Sequence, residues 1–202
     1  MQGIREIYTK LVNILQRILL LRRHTCPWWL GYTFDNPLRR FAHDPEEILG
    51  DLVEPGQTVV DIGCGLGFFS IALARIVGPM GKVIALDIQH QMIQRAKRRA
   101  ERQGISTGID FRLCESNHLG VTGPVDFVLA FWVAHEVEDL ENLLIEVRSF
   151  LRPQGHLLIV EPKGHVSTSR FADTAELARN VGFKTSEGPV VRFSRSVICS
   201  PN

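Results

Sequence analysis

From residue 44 onward, short apolar runs alternate with segments in which apolar residues recur every three or four positions. The short runs are typical of buried strands, and the longer spacing predicts amphipathic helices. The predicted strands are Thr58–Ile62, Lys82–Asp87, Ile109–Leu113, Val125–Phe131 and His156–Val160. The predicted helices are Leu66–Val77, Gln89–Gln103, Asp139–Leu151 and Phe171–Val181. This alternation predicts an α/β fold, a doubly wound and mostly parallel sheet with helices on both faces.

Two further extended stretches, Phe183–Ser186 and Val190–Cys199, follow the last predicted helix. No helix separates them, and the residues between them, Glu187-Gly188-Pro189, are typical of a turn. We therefore predict that the two stretches form an antiparallel hairpin, which brings the sheet to seven strands.

The first 23 residues predict a separate amphipathic helix. Its apolar stripe consists of Ile4, Ile7, Leu11, Ile14, Ile18 and Leu21. The other face is basic, and charged residues interrupt the stretch too often for a signal peptide or a membrane span. We expect this helix to pack against the domain or against a second copy of the chain. An anionic membrane surface or a lipid-like substrate is the alternative partner.

Composition narrows the class of protein. The chain has 202 residues and a formal net charge of +1 at pH 7, which does not favour a nucleic-acid partner. We divide it into an N-terminal extension, residues 1–43, and a domain, residues 44–202. The four cysteines (Cys26, Cys64, Cys114 and Cys199) lack the paired spacing of a zinc site or a disulfide framework. We therefore expect reduced thiols, no bound metal and a cytoplasmic location.

A glycine-rich segment carries the strongest chemical signal. It reads Asp61-Ile62-Gly63-Cys64-Gly65-Leu66-Gly67, and it lies between a predicted strand and a predicted helix. Glycine lets the backbone approach a ligand closely, in conformations that a Cβ would forbid. Asp87 ends the next strand, where a carboxylate can accept hydrogen bonds from both hydroxyl groups of a ribose. The segment therefore predicts a site for a nucleoside-type cofactor.

Two other nucleotide sites fit less well. The dinucleotide fingerprint requires a third glycine where the chain has Phe68, which disfavours NAD. A phosphate loop ending at Gly81-Lys82 would require glycine and a hydroxyl residue where the chain has Ile76 and Val83. The acid Asp61 would repel phosphate, but it suits the amino and carboxylate ends of an amino-acid moiety, directly or through water.

These residues resemble the class I S-adenosylmethionine-dependent methyltransferases, in particular the ubiquinone/menaquinone-biosynthesis-like (type 11) branch. Family motif I, D-x-G-x-G-x-G, is matched by Asp61, Gly63, Gly65 and Gly67. The segment Phe131–Val137 resembles the one that flanks the methyl group, and Leu151–Leu157 resembles the L-K-P-G-G-x-L turn with Gln154 replacing a glycine.

The resemblance implies a Rossmann-like sheet, with S-adenosylmethionine as cofactor and S-adenosylhomocysteine as product. It also implies a set of cofactor contacts, in which Glu115 stands where the family usually has Asp. That set is Asp61, Gly63, Cys64, Gly65, Gly67, Asp87, Ile88, Glu115, Ser116 and Phe131.

Methyl transfer asks the protein mainly to align the reacting atoms, and a general base helps where the acceptor must lose a proton. His135 and Glu136 are the candidates for this catalytic role, because strand ends at the carboxyl edge line the ligand crevice. Glu161 and Lys163 end the fifth predicted strand, where they either face the substrate or are solvated.

The substrate candidates are Trp28, Trp132 and Lys163. The aromatic segment Cys26–Phe34 predicts a lid that selects an apolar or aromatic molecule, and packing on the sheet is its alternative role.

Two functions are compatible with this sequence. The first is methyl transfer to a small molecule, with no nucleic-acid partner, since the basic run Arg95–Arg102 is interpreted as a solvated helix face. The second is a catalytically silent sensor or subunit that binds S-adenosylmethionine and is recruited through the N-terminal helix. We expect a cytoplasmic protein. Through its N-terminal helix it would associate with a membrane surface or with another copy of the chain.

Overall fold

Seven strands form one sheet in the computed structural model, which describes residues 43–105 and 107–202. The strands are β1 (Thr58–Ile62), β2 (Lys82–Asp87), β3 (Ile109–Leu113), β4 (Val125–Phe131), β5 (Leu151–Pro162), β6 (Phe183–Glu187) and β7 (Ser194–Pro201). Their order is β3-β2-β1-β4-β5-β7-β6, and β7 alone runs antiparallel to both of its neighbours. The predicted seven-stranded, mostly parallel sheet with a final antiparallel pair is confirmed.

Five α-helices and one short 3₁₀ helix accompany the sheet in the described part of the chain. They are α1 (Pro45–Leu49), α2 (Phe68–Val77), α3 (His90–Arg102), the 3₁₀ helix Ala134–Glu136, α4 (Leu140–Phe150) and α5 (Thr168–Asn180). None of these helices is long and apolar enough to cross a membrane. The predicted N-terminal helix, Trp28 and the rest of the proposed lid lie outside the described residues.

The core lies in layers on the two faces of the sheet. One face packs against α1, α2 and α3, and the other packs against α4 and α5. Successive side chains of β1 point to opposite faces of the sheet. Val60 packs with the α4 side, whereas Val59 packs with the α2 side. Asp61 shares the face of Val59, and this places its carboxylate against α2.

Two strands start at residues other than those predicted. β5 begins at Leu151 instead of His156, because Leu151 already pairs with Val125 and the register then shifts so that His156 pairs with Phe127. The residues predicted to form a turn, 152–155, are therefore an irregularity inside the strand. The Arg152 side chain fixes it, since Nε donates to Asp126 Oδ1 at 2.8 Å.

The connection in the predicted hairpin is longer than a three-residue turn. β7 begins at Ser194, four residues after the predicted start at Val190. Phe193 has a φ of 59°, which extended strands do not allow, and Pro189 has no N–H to donate to a neighbouring strand. Residues 188–193 therefore form a loop before the antiparallel pairing with β6.

Candidate functional site

The loop between β1 and α2 depends on three glycines with positive φ. Gly63, Gly65 and Gly67 have φ values of 68°, 54° and 76°. A Cβ on Gly63 would lie 2.6 Å from Val133 Cγ2, and one on Gly67 would lie 3.1 Å from Ala96 Cβ. A Cβ on Gly65 would meet no atom within 4 Å. The backbone is therefore closely packed at the two ends of the loop and open in the middle.

Asp61 anchors the start of this loop from inside the domain. It is buried, and the Ser70 hydroxyl donates to Asp61 Oδ2 at 2.5 Å. Ser70 is itself a buried residue of α2. This hydrogen bond links the end of β1 to α2, the helix that follows the loop.

Asp87, at the end of β2, holds the middle of the loop. Oδ2 of Asp87 accepts a hydrogen bond from the Gly65 N–H at 2.9 Å, and Oδ1 accepts one from the Gln89 N–H at 2.8 Å. Burial raises the pKa of the Asp87 carboxyl, and the N–H groups of Gln89, Gly65 and Ile88 oppose that shift. An ionised carboxylate has about four acceptor positions, so at least one remains for a ligand hydroxyl beside the three N–H groups.

Apolar side chains next to Asp87 are left open to solvent. Ile88 is 44% exposed, and Leu113, which pairs with Asp87 from the end of β3, is 55% exposed. Exposed aliphatic groups beside a polar anchor suit a ring that is flat and apolar on its faces. Glu115 and Ser116 follow on an exposed turn, in which the Glu115 N–H donates to the His118 carbonyl at 3.0 Å.

Besides Asp61, two more predicted cofactor contacts have their side chains in the interior. The Cys64 thiol is buried with Ala85 and Ile93, and burial is the main cause that raises its pKa well above the usual range. The Phe131 ring packs on the Phe69 ring with 4.3 Å between centroids. Only the backbone of Cys64 belongs to the open loop, and Phe131 supports the site from the core.

Trp132 links three strand ends on the other side of the loop. Its backbone N–H donates to the Val160 carbonyl at 2.7 Å, and its indole Nε1–H donates to Ser194 Oγ at 3.0 Å. The residue has a φ of 59°, unusual for a side chain of this size, and the ring is partly exposed. Such local strain persists where surrounding contacts hold it, and functional sites are where it collects.

His135 and Glu161 meet at the ends of β4 and β5. Glu161 is 1% exposed, and its Oε1 accepts the His135 backbone N–H at 3.2 Å. Its Oε2 contacts Nδ1 of the same residue. Of the two alternatives for Glu161, the structure excludes a solvated strand end. Glu136 Oε1 lies 4.0 Å from His135 Nε2, so the two residues predicted as catalytic are neighbours.

Lys163 lies in a different place. It is exposed, and its backbone N–H donates to the Phe193 carbonyl at 2.8 Å. Together with Phe171 and residues of the β6–β7 connection, it lines an open groove of about 550 Å³. No described contact joins it to His135.

The sequence patterns do not predict a role for His165, whose ring centroid lies 4.9 Å from that of His135. It sits on a loop with no periodic signal.

The basic run of α3 contributes one residue to the loop. Arg99 is partly buried, and its guanidinium lies 5.9 Å from the Phe68 ring centroid and donates to the Leu66 carbonyl at 3.4 Å. Lys97 and Arg98 are exposed on the same helix. Among the described residues, no group of three or more His, Cys, Asp or Glu side chains is placed to hold a metal ion.

The arrangement fits a nucleoside joined to an amino acid. Three features lie along neighbouring strands: an open glycine backbone, a strand-end carboxylate and two exposed aliphatic side chains. Residues 53–187 also match the sequence profile of a family described as "Methyltransferase domain". The match covers more than half of the chain, so the chain belongs to this methyltransferase domain family. The resemblance to class I S-adenosylmethionine-dependent methyltransferases is confirmed, and S-adenosylmethionine is the cofactor that this class implies.

Similar proteins of known name include two enzymes and one solved structure. The chain is 33% identical over 110 residues to a demethylmenaquinone methyltransferase of Lactobacillus johnsonii, covering 54% of this chain and 45% of that protein. It is 32% identical over 124 residues to an arsenite methyltransferase of Halobacterium salinarum, covering 61% and 31%. The crystal structure of a SAM dependent methyltransferase from Aquifex aeolicus superposes with a TM-score of 0.75 at 23% identity, covering 87% and 98%. The chain spans less than half the length of these curated relatives.

Proposed function

We propose that this protein transfers a methyl group from S-adenosylmethionine to a small apolar or aromatic molecule. One observation carries the proposal, the hydrogen bond from the Gly65 N–H to the Asp87 carboxylate. It joins the glycine loop to the strand end at which a ribose is expected. His135 and Glu136 lie after β4, the strand that pairs with β1 on its other side.

The binding roles follow from what each group offers. The backbone of Gly63–Gly67 would face the amino-acid part, and Asp87 would accept the ribose hydroxyls. Ile88, Glu115 and Ser116 would bound the adenine, with Leu113 beside them. S-adenosylmethionine supplies a methyl group that its sulfonium sulfur already activates. The protein then has to hold the acceptor in line and keep water out, and alignment alone is worth roughly 7–11 kcal/mol in favourable cases.

The Trp132 indole supports the proposed acceptor class. Trp132 presents a partly exposed indole that is fixed by Ser194, and the His43 ring packs on it with 4.9 Å between centroids. A fixed aromatic wall favours a flat, apolar acceptor. The names of the relatives point to a quinone-type molecule in one case and to arsenite in the other, so they do not choose the acceptor.

Cofactor binding is tested by calorimetry with S-adenosylmethionine. We expect Asp87→Ala to weaken binding by more than about tenfold, because a hydrogen bond to a charged group is worth about 1.5–3 kcal/mol. Asp110→Ala serves as the control, since Asp110 lies near the start of β3 and pairs with Arg112 there. Unchanged affinity in Asp87→Ala would refute the ribose assignment, and no binding by the wild type would refute the proposed function.

Transfer itself is tested with labelled methyl and a panel of small acceptors. Label in an acceptor supports the enzyme. Cofactor binding without transfer to any acceptor would instead favour the silent sensor or subunit as the function.

A further inference from the structure

Glu161 is a fully buried carboxylate that the cofactor site does not use. It ends β5, is 1% exposed, and lies opposite Arg195 of β7 in the strand register. The Arg195 guanidinium donates elsewhere, to the Val166 carbonyl at 3.0 Å and to Thr168 Oγ1 at 2.7 Å. The described contacts of the Glu161 side chain both go to His135. A buried carboxylate is costly unless it is hydrogen-bonded, so this pair has to be made for the fold to be stable.

The two contacts restrict the imidazole. Ionised carboxylate oxygens only accept hydrogen bonds. Oε2 of Glu161 therefore requires a proton on His135 Nδ1, and the neutral ring is left with a lone pair on Nε2. The hydrogen bond from the His135 backbone N–H to Oε1 holds the Glu161 carboxylate in place, and this carboxylate orients the His135 ring. Second partners of this kind set the tautomer and direction of functional histidines.

Other charged or titratable groups face His135 from the neighbouring elements. Glu136 of the 3₁₀ helix has Oε1 at 4.0 Å from Nε2, and the His165 ring lies 4.9 Å away on the segment after β5. Arg170 of α5 donates to the His135 carbonyl at 3.1 Å. The His135 side chain remains 10% exposed. The His135 ring is thus enclosed by partners and only slightly exposed.

We propose that Glu161 is a positioning residue that holds His135 with its proton on Nδ1, so that Nε2 takes a proton from an aromatic hydroxyl acceptor. The inference rests on the proposed function and names its acceptor class. A tertiary amine or a thioether has no proton to lose and would not need this base. A phenol-type hydroxyl is neutral at pH 7 and becomes a strong nucleophile when it loses its proton.

The balanced step is simple. The acceptor O–H proton passes to His135 Nε2, and the ring becomes an imidazolium paired with the Glu161 carboxylate. An oxygen lone pair forms the new O–CH₃ bond while the S–CH₃ bond breaks, and that bond's electron pair stays on sulfur. The products are the aryl methyl ether and S-adenosylhomocysteine, and the proton leaves His135 to solvent.

The test compares wild type with Glu161→Gln, which keeps the size of the side chain. A Gln amide has one acceptor oxygen and one NH₂ group for the two His135 partners of Glu161, the backbone N–H and Nδ1. The backbone N–H can only donate, so the NH₂ group meets Nδ1. The ring then carries its proton on Nε2, where it cannot act as the base. With 4-methylphenol we expect kcat to fall roughly 100-fold or more, the range of a lost general base. With 4-nitrophenol, which ionises without help in mildly alkaline buffer, the fall should be less than about threefold. Glu161→Asp restores the charge and should recover part of the rate with 4-methylphenol.

A structural readout does not depend on turnover. In ¹⁵N NMR spectra of histidine-labelled protein, the His135 signals are identified by their loss in His135→Gln. We expect Nδ1 to carry the proton in wild type and Nε2 to carry it in Glu161→Gln. Asp126→Asn is the matched control, because Asp126 also holds a backbone N–H, that of Thr58, but at the opposite edge of the sheet. It should leave both the tautomer and the phenol dependence unchanged.

Several results would overturn the inference. They are an equal loss of rate with both phenols, a wild-type proton on Nε2, or no transfer to any phenol by a protein that binds S-adenosylmethionine. The last result leaves cofactor binding intact, whereas failure to bind the cofactor refutes the proposed function itself. Circular dichroism and cofactor affinity show whether each variant is folded before it is compared.

Discussion

At the scale of single residues, the three glycines of the loop after β1 are glycine for different reasons. All three have positive φ, which costs other residues roughly 1–2 kcal/mol. Gly63 is additionally packed against Val133, and Gly67 against Ala96. Gly65 has open space where a side chain would be, so its conformation and a ligand's approach are what require glycine there.

Gly63→Ala should be the more damaging substitution when it is compared with Gly56→Ala. Gly56 has a φ of 86° but no atom within 4 Å of an added Cβ, so its variant measures the backbone cost alone. We expect about 1–2 kcal/mol for Gly56→Ala and about 1–3 kcal/mol more for Gly63→Ala, because overpacking adds to strain. Urea unfolding gives both values.

The clash can be removed separately. Adding Val133→Ala to Gly63→Ala should recover part of the loss, since the 2.6 Å contact is with a Val133 methyl carbon. A double mutant that is no better than the sum of its parts would show that the contact is not the cause.

At the scale of elements, the beginning of α5 connects stability to the site. Ser167 is its N-cap, and its hydroxyl oxygen accepts the Arg170 N–H at 3.2 Å. Arg170 lies in the first turn, and its guanidinium donates a hydrogen bond to the His135 carbonyl. The cap explains why α5 starts at Thr168, three residues before the apolar pattern predicts, since a capping serine carries no apolar periodicity.

Ser167→Ala should lower the free energy of unfolding by about 1 kcal/mol, within the range of lost N-caps. Glu176→Ala on the exposed face of the same helix is the control and should change stability by less than about 0.5 kcal/mol. Thermal or urea unfolding of wild type, Ser167→Ala and Glu176→Ala measures these differences in stability. Equal losses in the two variants would contradict a capping role.

How well each element could be predicted depends on what defines its ends. The observed bounds of β1 to β4 match the prediction. β1, β2 and β4 are buried strands with short apolar runs, and β3 alternates apolar with charged residues. The start of β5 was missed, since Arg152 and Gln154 look like a turn and only pairing with β4 keeps the chain in the sheet. The loop before β7 was missed because the positive φ of Phe193 has no sequence signal.

The same distinction applies to the site. The glycine loop and Asp87 could be predicted together, because parallel strands end at one edge. The contact of His135 with Glu161 could not, since it joins residues 26 apart through their side chains. Burial of Glu161 likewise depends on the assembled sheet, in which β5 lies between β4 and β7.

At the scale of the whole molecule, the buried acids collect at one edge of the sheet. Among the described residues, the buried carboxylates are Asp61, Asp87 and Glu161, at or near the ends of β1, β2 and β5. The core elsewhere is apolar. A functional edge built from buried charges costs stability that the rest of the fold has to supply.

Stability without ligand should therefore depend on pH through Asp87. Burial raises the pKa of its carboxyl above the value of about 3.9 of an unfolded aspartate. A raised pKa in the folded state gives stability that is complete below the unfolded pKa and is lost as pH rises through the folded pKa. We expect the unfolding free energy of wild type, relative to Asp87→Asn, to fall across that window. Urea unfolding of both proteins at a series of pH values measures it, and a difference that is constant or rises with pH would contradict the shift.

The position of β7 has a consequence for the order in which the sheet can be completed. β6 pairs with β7 alone, and β7 lies between β6 and β5. During synthesis, β6 leaves the ribosome before the strand that has to be inserted beside it. Until residues 194–201 emerge, β5 has an open edge and β6 has no neighbour in the sheet.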